Sequence, residues 1–200
     1  MLFRSVLAGG RGRRMGPQPK VLLRLGDSSL VERACRRAAP QVDVLCVSSH
    51  LGAHELGEPR LTVIHDGFPG FLGPLAGVCA AMEFLRETAP DVEWLCSFAA
   101  DTPWFPCDLV ARLMSAIRLA PGAGVAVARS DGRPHPVFAL WSTSALPRMK
   151  SVLASGTDLG MMRFQAGLHP VFVDWPAGEA DPFFNINTPE DFERARLRGA

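Results

Sequence analysis

Short apolar runs alternate along this chain with longer stretches in which apolar and polar positions mix. Leu2 to Leu7, Val42 to Val47, Leu61 to Ile64, Glu93 to Ala100 and His169 to Trp175 have the length and the Val, Leu and Ile content of buried strands. Glu93 to Ala100 is the most hydrophobic of them and is expected at the centre of a sheet. Between the runs, Ser29 to Ala39, Pro74 to Glu87, a segment opened by Pro106 and Asp108 and reaching Leu119, and Ser142 to Leu153 read as helices. Ser29 and Glu32 have capping-box spacing, and Pro74 suits a first helical turn. Ser155 to Gly167 predicts one short helix near Met161. Thr188, Pro189, Glu190 and Asp191 together make a complete helix start: a cap, a proline at the first position and two acids in the first turn.

Strand followed by helix, repeated, predicts an α/β protein with a mostly parallel sheet. One departure is expected. Gly124 to Ala128 and Val137 to Trp141 are joined through Ser130-Asp131-Gly132-Arg133, and Asp-Gly between two apolar runs signals a hairpin. One strand should therefore run antiparallel. No repeat, low-complexity block or linker divides the 200 residues, a length that suits one domain, 1–200.

Composition narrows the class. A net charge of +1 argues against a general nucleic-acid binder, which needs a strong basic excess. The basic residues instead gather locally, at Arg11 to Arg14 and at Arg33 to Arg37. Arg33, Arg36 and Arg37 fall on the polar side of their helix and read as a solvated face. The five cysteines are odd in number and contain no Cys-x-x-Cys, which points to buried free thiols rather than a disulfide framework or a zinc site. No apolar stretch reaches membrane-spanning length, and the glycine-rich segment begins too early to leave room for a signal peptide. A cytoplasmic protein is expected.

The candidate chemistry starts where the first strand ends. Leu7-Ala8-Gly9-Gly10-Arg11-Gly12-Arg13-Arg14-Met15-Gly16-Pro17-Gln18-Pro19-Lys20 is rich in glycine and arginine and closes on a lysine. Glycine lets backbone N–H groups approach an anion, and Arg and Lys supply charged donors for phosphate oxygens. Two familiar phosphate loops do not fit. Gly16 comes one residue too late for Gly-x-Gly-x-x-Gly, and it is followed by Pro17 where a P-loop has Lys.

The order Leu-Ala-Gly-Gly, then Arg14-Met15-Gly16, then Lys20 resembles the nucleotide-binding signature of the NTP-transferase family, and within it the molybdenum cofactor guanylyltransferases. Three further stretches carry the same resemblance: Gly73-Pro74-Leu75-Ala76-Gly77, Ala100-Asp101-Thr102-Pro103, and Asn185-Ile186-Asn187-Thr188-Pro189-Glu190. It spans nearly the whole chain, to Phe192, and its specificity lies in the order and spacing of short motifs. Pro17 and Pro19 replace the family's usual Gly and Asp, Ser48 stands where Asn is usual, and Asp158 falls where Arg is usual, with Arg163 nearby as a substitute.

The resemblance implies a Rossmann-like three-layer sandwich and a nucleotidyl transfer. A phosphate oxygen attacks the α-phosphorus of an NTP and pyrophosphate leaves. The protein's task is alignment and charge neutralisation. Leu7, Ala8, Gly9 and Gly10 are expected to contact the nucleotide through backbone, with Arg14, Ser48 and Asp66 as further contacts. Lys20 is expected on the phosphates, and Asp101 on Mg²⁺. Lys20 and Asp101 are thus the candidate catalytic residues. Asn185, Asn187 and His135 are expected to bind the second substrate. The implied substrates are GTP and molybdenum-bound molybdopterin, with proteins that deliver and accept the cofactor as partners. CTP, or another phosphorylated small molecule as acceptor, stays open. So does a regulatory nucleotide-binding protein without turnover, which the loop prolines suggest and retention of Lys20 and Asp101 argues against.

Overall fold

The computed structural model describes residues 3–8, 18–41, 43–65, 73–156, 160–178 and 180–198. Nine strands and six helices follow one another in these segments. They are β1 (Phe3–Leu7), β2 (Arg24–Leu25), β3 (Ser28–Ser29), α1 (Leu30–Ala38), β4 (Val44–Ser48), β5 (Thr62–Ile64), α2 (Pro74–Thr88), β6 (Trp94–Ala99) and α3 (Leu109–Leu119). Then come β7 (Val125–Ser130), β8 (Arg133–Ser142), α4 (Leu146–Ser155), α5 (Met161–Ala166), β9 (Pro170–Trp175) and α6 (Pro189–Leu197).

Seven strands form one sheet in the order β5-β4-β1-β6-β8-β7-β9, which puts β6 in the middle as its hydrophobicity predicts. β8 is antiparallel to both neighbours, and the other pairings are parallel. The sheet is mostly parallel with one reversed strand. The reversal comes from the hairpin turn. Asp131 and Gly132 both have positive φ, +45° and +76°, the combination a two-residue turn needs to match the twist of its strands. Beyond the turn the register slips between Val127 and Ala128: His135 still faces Ala128, but Ala139 faces Val127. The intervening residues bulge out of β8. Pro136 sits in that bulge, where a missing N–H breaks no ladder bond.

Helices cover both faces. α2, α4 and α5 bury Leu75, Met82, Leu85, Met149 and Phe164 against one side. α1 and α3 bury Val31, Ala34, Leu109 and Leu113 against the other. β1 alternates accordingly, Leu7 toward the first layer and Val6 and Ala8 toward the second. A third, smaller cluster joins α6 to the β2–β3 hairpin through Ala195, Ile186, Leu25 and Leu30.

The expected caps are present. Ser29 Oγ accepts from Glu32 N (3.2 Å) and Glu32 Oε2 accepts from Ser29 N (2.5 Å). Thr188 and Asp191 make the same reciprocal pair at α6. Elsewhere the structure corrects the sequence reading. The expected helix from Ser142 starts late, because Ser142 still pairs with Trp94 in the sheet; a short 3₁₀ turn intervenes and α4 begins at Leu146. β9 begins at Pro170, since His169 has φ +51° and cannot continue a strand. Asp108 stands at the N-cap position of α3, where the helix is expected to open, but its side chain turns away from the helix and Oδ1 accepts from Trp175 Nε1 at 3.0 Å. Nor is the arginine face of α1 simply solvated. Arg33 Nε donates to Leu25 O (2.9 Å), and Arg37 Nε donates to Phe105 O, tying the helix to the segments around it.

Cys35, Cys46, Cys79 and Cys96 are buried and Cys107 is exposed. Burial pushes the thiols of Cys35, Cys46 and Cys79 up to about 12. Among the described residues, no helix is long and apolar enough to cross a membrane.

Candidate active site

After β1 the chain moves outward through β4 to β5, then returns to β6 on the other side of β1. That reversal opens a crevice at the carboxyl ends of β1 and β6, the place where open α/β sheets bind ligands. Backbone bonds hold the two ends level. Leu7 pairs with Ser48 and Ala99, Ala8 N donates to Ser48 O (2.9 Å), and Ala100 N donates to Leu7 O (3.1 Å). Asp101 therefore leaves β6 beside the point where Ala8 leaves β1.

Lys20 reaches the same spot from the start of a short 3₁₀ turn. Its Nζ donates to Asp101 Oδ2 at 2.5 Å and to Asn187 Oδ1 at 2.8 Å. The Lys20 and Asp101 side chains are only 14% and 20% exposed, so the pair is sheltered but open enough to meet a ligand. Asn187 is brought in by two anchors. Asp101 O accepts from Ile186 N (2.9 Å), which lays the 185–187 segment against the end of β6. Asp191 Oδ2 accepts from the backbone N–H groups of Asn187 (3.1 Å) and Thr188 (3.0 Å) at the start of α6. Burial raises the pKa of Asp191, but these two bonds and the Thr188 hydroxyl outweigh it and hold the carboxyl below the usual aspartate value.

A cavity of about 390 Å³ adjoins this cluster. Thr102, His135, Phe138, Phe183, Asn185 and Asn187 are among its lining residues. Asn185, Asn187 and His135 thus share one wall system. The His135 ring stacks on Phe183 with 4.4 Å between centroids and 21° between planes. Burial lowers its pKa; nearby Asp181 opposes that shift and Arg133 adds to it.

Ser48 ends β4 with its side chain buried. Its hydroxyl faces α2 at Gly77, where a Cβ would stand 2.7 Å from Ser48 Oγ and 3.1 Å from Leu7 Cδ2. Close helix–sheet approach is therefore one reason for glycine at that position. Gly9, Gly10, Arg14 and Asp66, with Asp158, lie outside the described residues.

Two residues of the cavity region had no role in the sequence reading. Ser130 read only as a hairpin corner, and Asp181 belonged to no motif. Ser130 Oγ lies 2.6 Å from His135 Nε2 and 3.0 Å from Asp181 Oδ1. The available signal was indirect: Asp181 precedes Pro182-Phe183-Phe184-Asn185, one turn's distance before the asparagine motif.

The donor set at the crevice suits a hard divalent cation. Asp101 offers a carboxylate and Asn187 an amide oxygen, both within reach of one point marked by Lys20 Nζ. Mg²⁺ takes one or two carboxylates and keeps several waters. Among the described residues no three His, Cys, Asp or Glu side chains converge, so soft or fully protein-caged metals find no set there.

Comparison with known proteins identifies the family and the fold. Residues 5–171 match the family described as the MobA-like NTP transferase domain. A Rhodopseudomonas palustris (strain BisB5) protein named molybdenum cofactor guanylyltransferase is 42% identical over 196 residues, covering 96% of this chain and 93% of its own. A protein of the same name from Nitrobacter hamburgensis is 38% identical over 195 residues, covering 98% and 93%. Among solved structures, molybdopterin-guanine dinucleotide biosynthesis protein A from Archaeoglobus fulgidus superposes with a TM-score of 0.78 at 25% identity, covering 99% of this chain and 98% of that one. The chain belongs to the MobA-like NTP transferase family and is a nucleotidyltransferase.

Proposed function

We propose that this nucleotidyltransferase moves GMP from GTP to molybdenum-bound molybdopterin, giving the guanine dinucleotide form of the cofactor and pyrophosphate. The observation that carries the reading is the meeting of Lys20, Asp101 and Asn187 at the carboxyl edge of β1 and β6. The names of the Rhodopseudomonas and Nitrobacter relatives support guanine and molybdopterin as the two substrates.

In this reading the triphosphate lies across the crevice. Backbone groups of Leu7, Ala8, Gly9 and Gly10 contact the nucleotide, with Arg14, Ser48 and Asp66 as further contacts. Lys20 donates to phosphate oxygens, where a mobile ammonium follows the charge as it shifts to the leaving group. Asp101, with the Asn187 amide oxygen beside it, would hold Mg²⁺, which when bound would help neutralise the charge on the departing pyrophosphate. Asn185, Asn187 and His135 bind the acceptor in the adjoining cavity and orient its terminal phosphate oxygen toward the α-phosphorus. Orientation of this kind removes entropy from the barrier before reaction. The cytoplasm is the proposed compartment, with cofactor-delivering and cofactor-accepting proteins as partners.

Pyrophosphate release with each of GTP, CTP, ATP and UTP, with and without molybdenum-bound molybdopterin, tests the proposal. The expected result is release from GTP that requires the acceptor and Mg²⁺. Release from CTP above GTP would make the chain a cytidylyltransferase. Tight nucleotide binding with no release from any mixture would leave a nucleotide-binding regulator.

A further inference from the structure

The Ser130, His135 and Asp181 side chains form a chain of hydrogen bonds at the rim of the acceptor cavity, and its proton count has one solution. Ser130 carries a single hydroxyl proton. Its Oγ lies 3.0 Å from Asp181 Oδ1 and 2.6 Å from His135 Nε2. A carboxylate only accepts, so the Ser130 proton must point to Asp181. If it pointed to His135 instead, the serine and carboxylate oxygens would face each other with lone pairs alone. Ser130 Oγ is then left to accept, and His135 Nε2 must carry the proton that it accepts. In a neutral imidazole the other nitrogen, Nδ1, is unprotonated.

The carboxylate that starts this order is itself fixed. Asp181 Oδ1 also accepts from Phe183 N (2.9 Å), and Asp181 O accepts from Phe184 N (3.2 Å) and Arg198 Nη2 (3.0 Å). Phe183 in turn stacks on the His135 ring, so one short segment sets both the plane and the proton of the imidazole. The hairpin contributes the rest. The tight turn at Asp131-Gly132 brings Ser130 back toward His135, and the bulge after His135 interrupts the ladder next to it. Among the described residues Nδ1 has no hydrogen-bond partner, and the ring lines the cavity with Asn185 and Asn187.

We propose that Ser130 and Asp181 are positioning residues that hold His135 in its Nε2–H tautomer, leaving Nδ1 as an acceptor for an N–H or O–H donor of the molecule bound in the cavity. The identity of that molecule as the acceptor substrate rests on the function proposed above; the tautomer does not. A heterocycle with ring or exocyclic N–H groups fits this site, and one that offers only acceptors does not.

The tautomer is read directly by long-range ¹H–¹⁵N correlation on the full ¹⁵N-labelled chain without substrate. The chain has five histidines, and a His135→Gln variant identifies the signal of interest. The wild type should show a protonated Nε2 and an unprotonated Nδ1. Ser130→Ala should give a mixture of tautomers, and Ser130→Thr, which keeps the hydroxyl, should restore the single one. In turnover, Ser130→Ala should raise KM for the acceptor about tenfold while KM for GTP stays within about twofold, the pattern of a lost contact to one substrate only. Ser130→Thr should reverse most of that rise. A wild-type spectrum with Nδ1 protonated overturns the proposal, whatever the variants do. So does a Ser130→Ala spectrum unchanged from wild type, an unchanged KM for the acceptor, or an equal rise in both KM values. Absence of any turnover with GTP and molybdopterin would overturn the proposed function alone, because the spectra need neither.

Discussion

Lys20 Nζ stands 2.5 Å from Asp101 Oδ2, although 81 residues separate them along the chain. The lysine arrives from the loop after β1 and the aspartate from the end of β6, and parallel pairing of those two strands is what brings them level. A cation suited to phosphate and a carboxylate suited to a metal are thus neighbours at the one edge of the sheet where the chain direction reverses. Each can be tested separately.

Lys20→Ala should weaken triphosphate binding by about 2 kcal/mol, the usual size of a charge-assisted hydrogen bond. Stability should fall modestly and the fold should survive, because the Asp101 carboxylate that loses its partner is 20% exposed and keeps access to water. Calorimetric titration with GTP, alongside urea unfolding, separates the two effects. Unchanged GTP affinity would return Lys20 to a purely structural partner of Asp101 and Asn187.

Asp101→Asn should lower turnover by at least about 100-fold and remove its dependence on Mg²⁺, since a metal at a departing phosphate is worth several kcal/mol. Asn keeps one oxygen, which can still accept from Lys20, its amide group replaces the oxygen that faces the Thr102 hydroxyl, and the backbone bond from Ile186 is untouched. The fold should therefore survive, which the urea midpoint checks. Near-normal activity that still responds to Mg²⁺ would move the metal ligand elsewhere, with Asp66 the first residue to examine.

Gly77→Ala should destabilise the protein by about 1–3 kcal/mol, because the new methyl group meets the Ser48 hydroxyl and Leu7 where α2 crosses the sheet. Adding Ser48→Ala should recover part of the loss. Residues in contact give non-additive changes, so a double-mutant cycle in urea is the measurement. Strict additivity would mean that the strain is relieved by a shift of the helix.

His135 should make stability depend on pH. Burial lowers its pKa below the ordinary 6.5 despite the opposing Asp181 carboxylate, with Arg133 adding to the shift. The unfolded chain therefore binds more protons between the two values, and stability rises with pH across that window. The contribution is complete above the ordinary value and is lost as pH falls through the folded one. Urea midpoints compared at about pH 7.5 and about pH 5.5 should fall less for His135→Gln than for the wild type. An identical fall in both proteins would show that His135 is not among the groups that set the acid side.

What could be read from residues alone was whatever depends on neighbours a few positions away. The Ser29–Glu32 and Thr188–Asp191 caps, the proline at the first turn of α2, the positive-φ pair Asp131-Gly132 and the apolar run of β6 are of this kind. Each is decided by local backbone geometry or by the period of burial, and each stands in the fold as expected. The motif order also carried the family, because spacing within a chain is itself a sequence property. The tertiary structure decided the rest, and the misses share one cause. Arg33 and Arg37 bond to carbonyls at Leu25 and Phe105, the Asp108 side chain accepts from Trp175, and Ser130 meets Asp181 across 51 positions. A polar side chain can be satisfied by any backbone or side-chain group that packing brings within about 3 Å, and local sequence does not say which group that will be. The same holds for the site. The sequence marks Lys20, Asp101 and Asn187 as candidates, but their meeting follows from strand order, from β1 lying beside β6 and from the Ile186 amide bonding to Asp101. Strand order is set by how the whole set of apolar faces is buried at once, which no single stretch of the chain encodes.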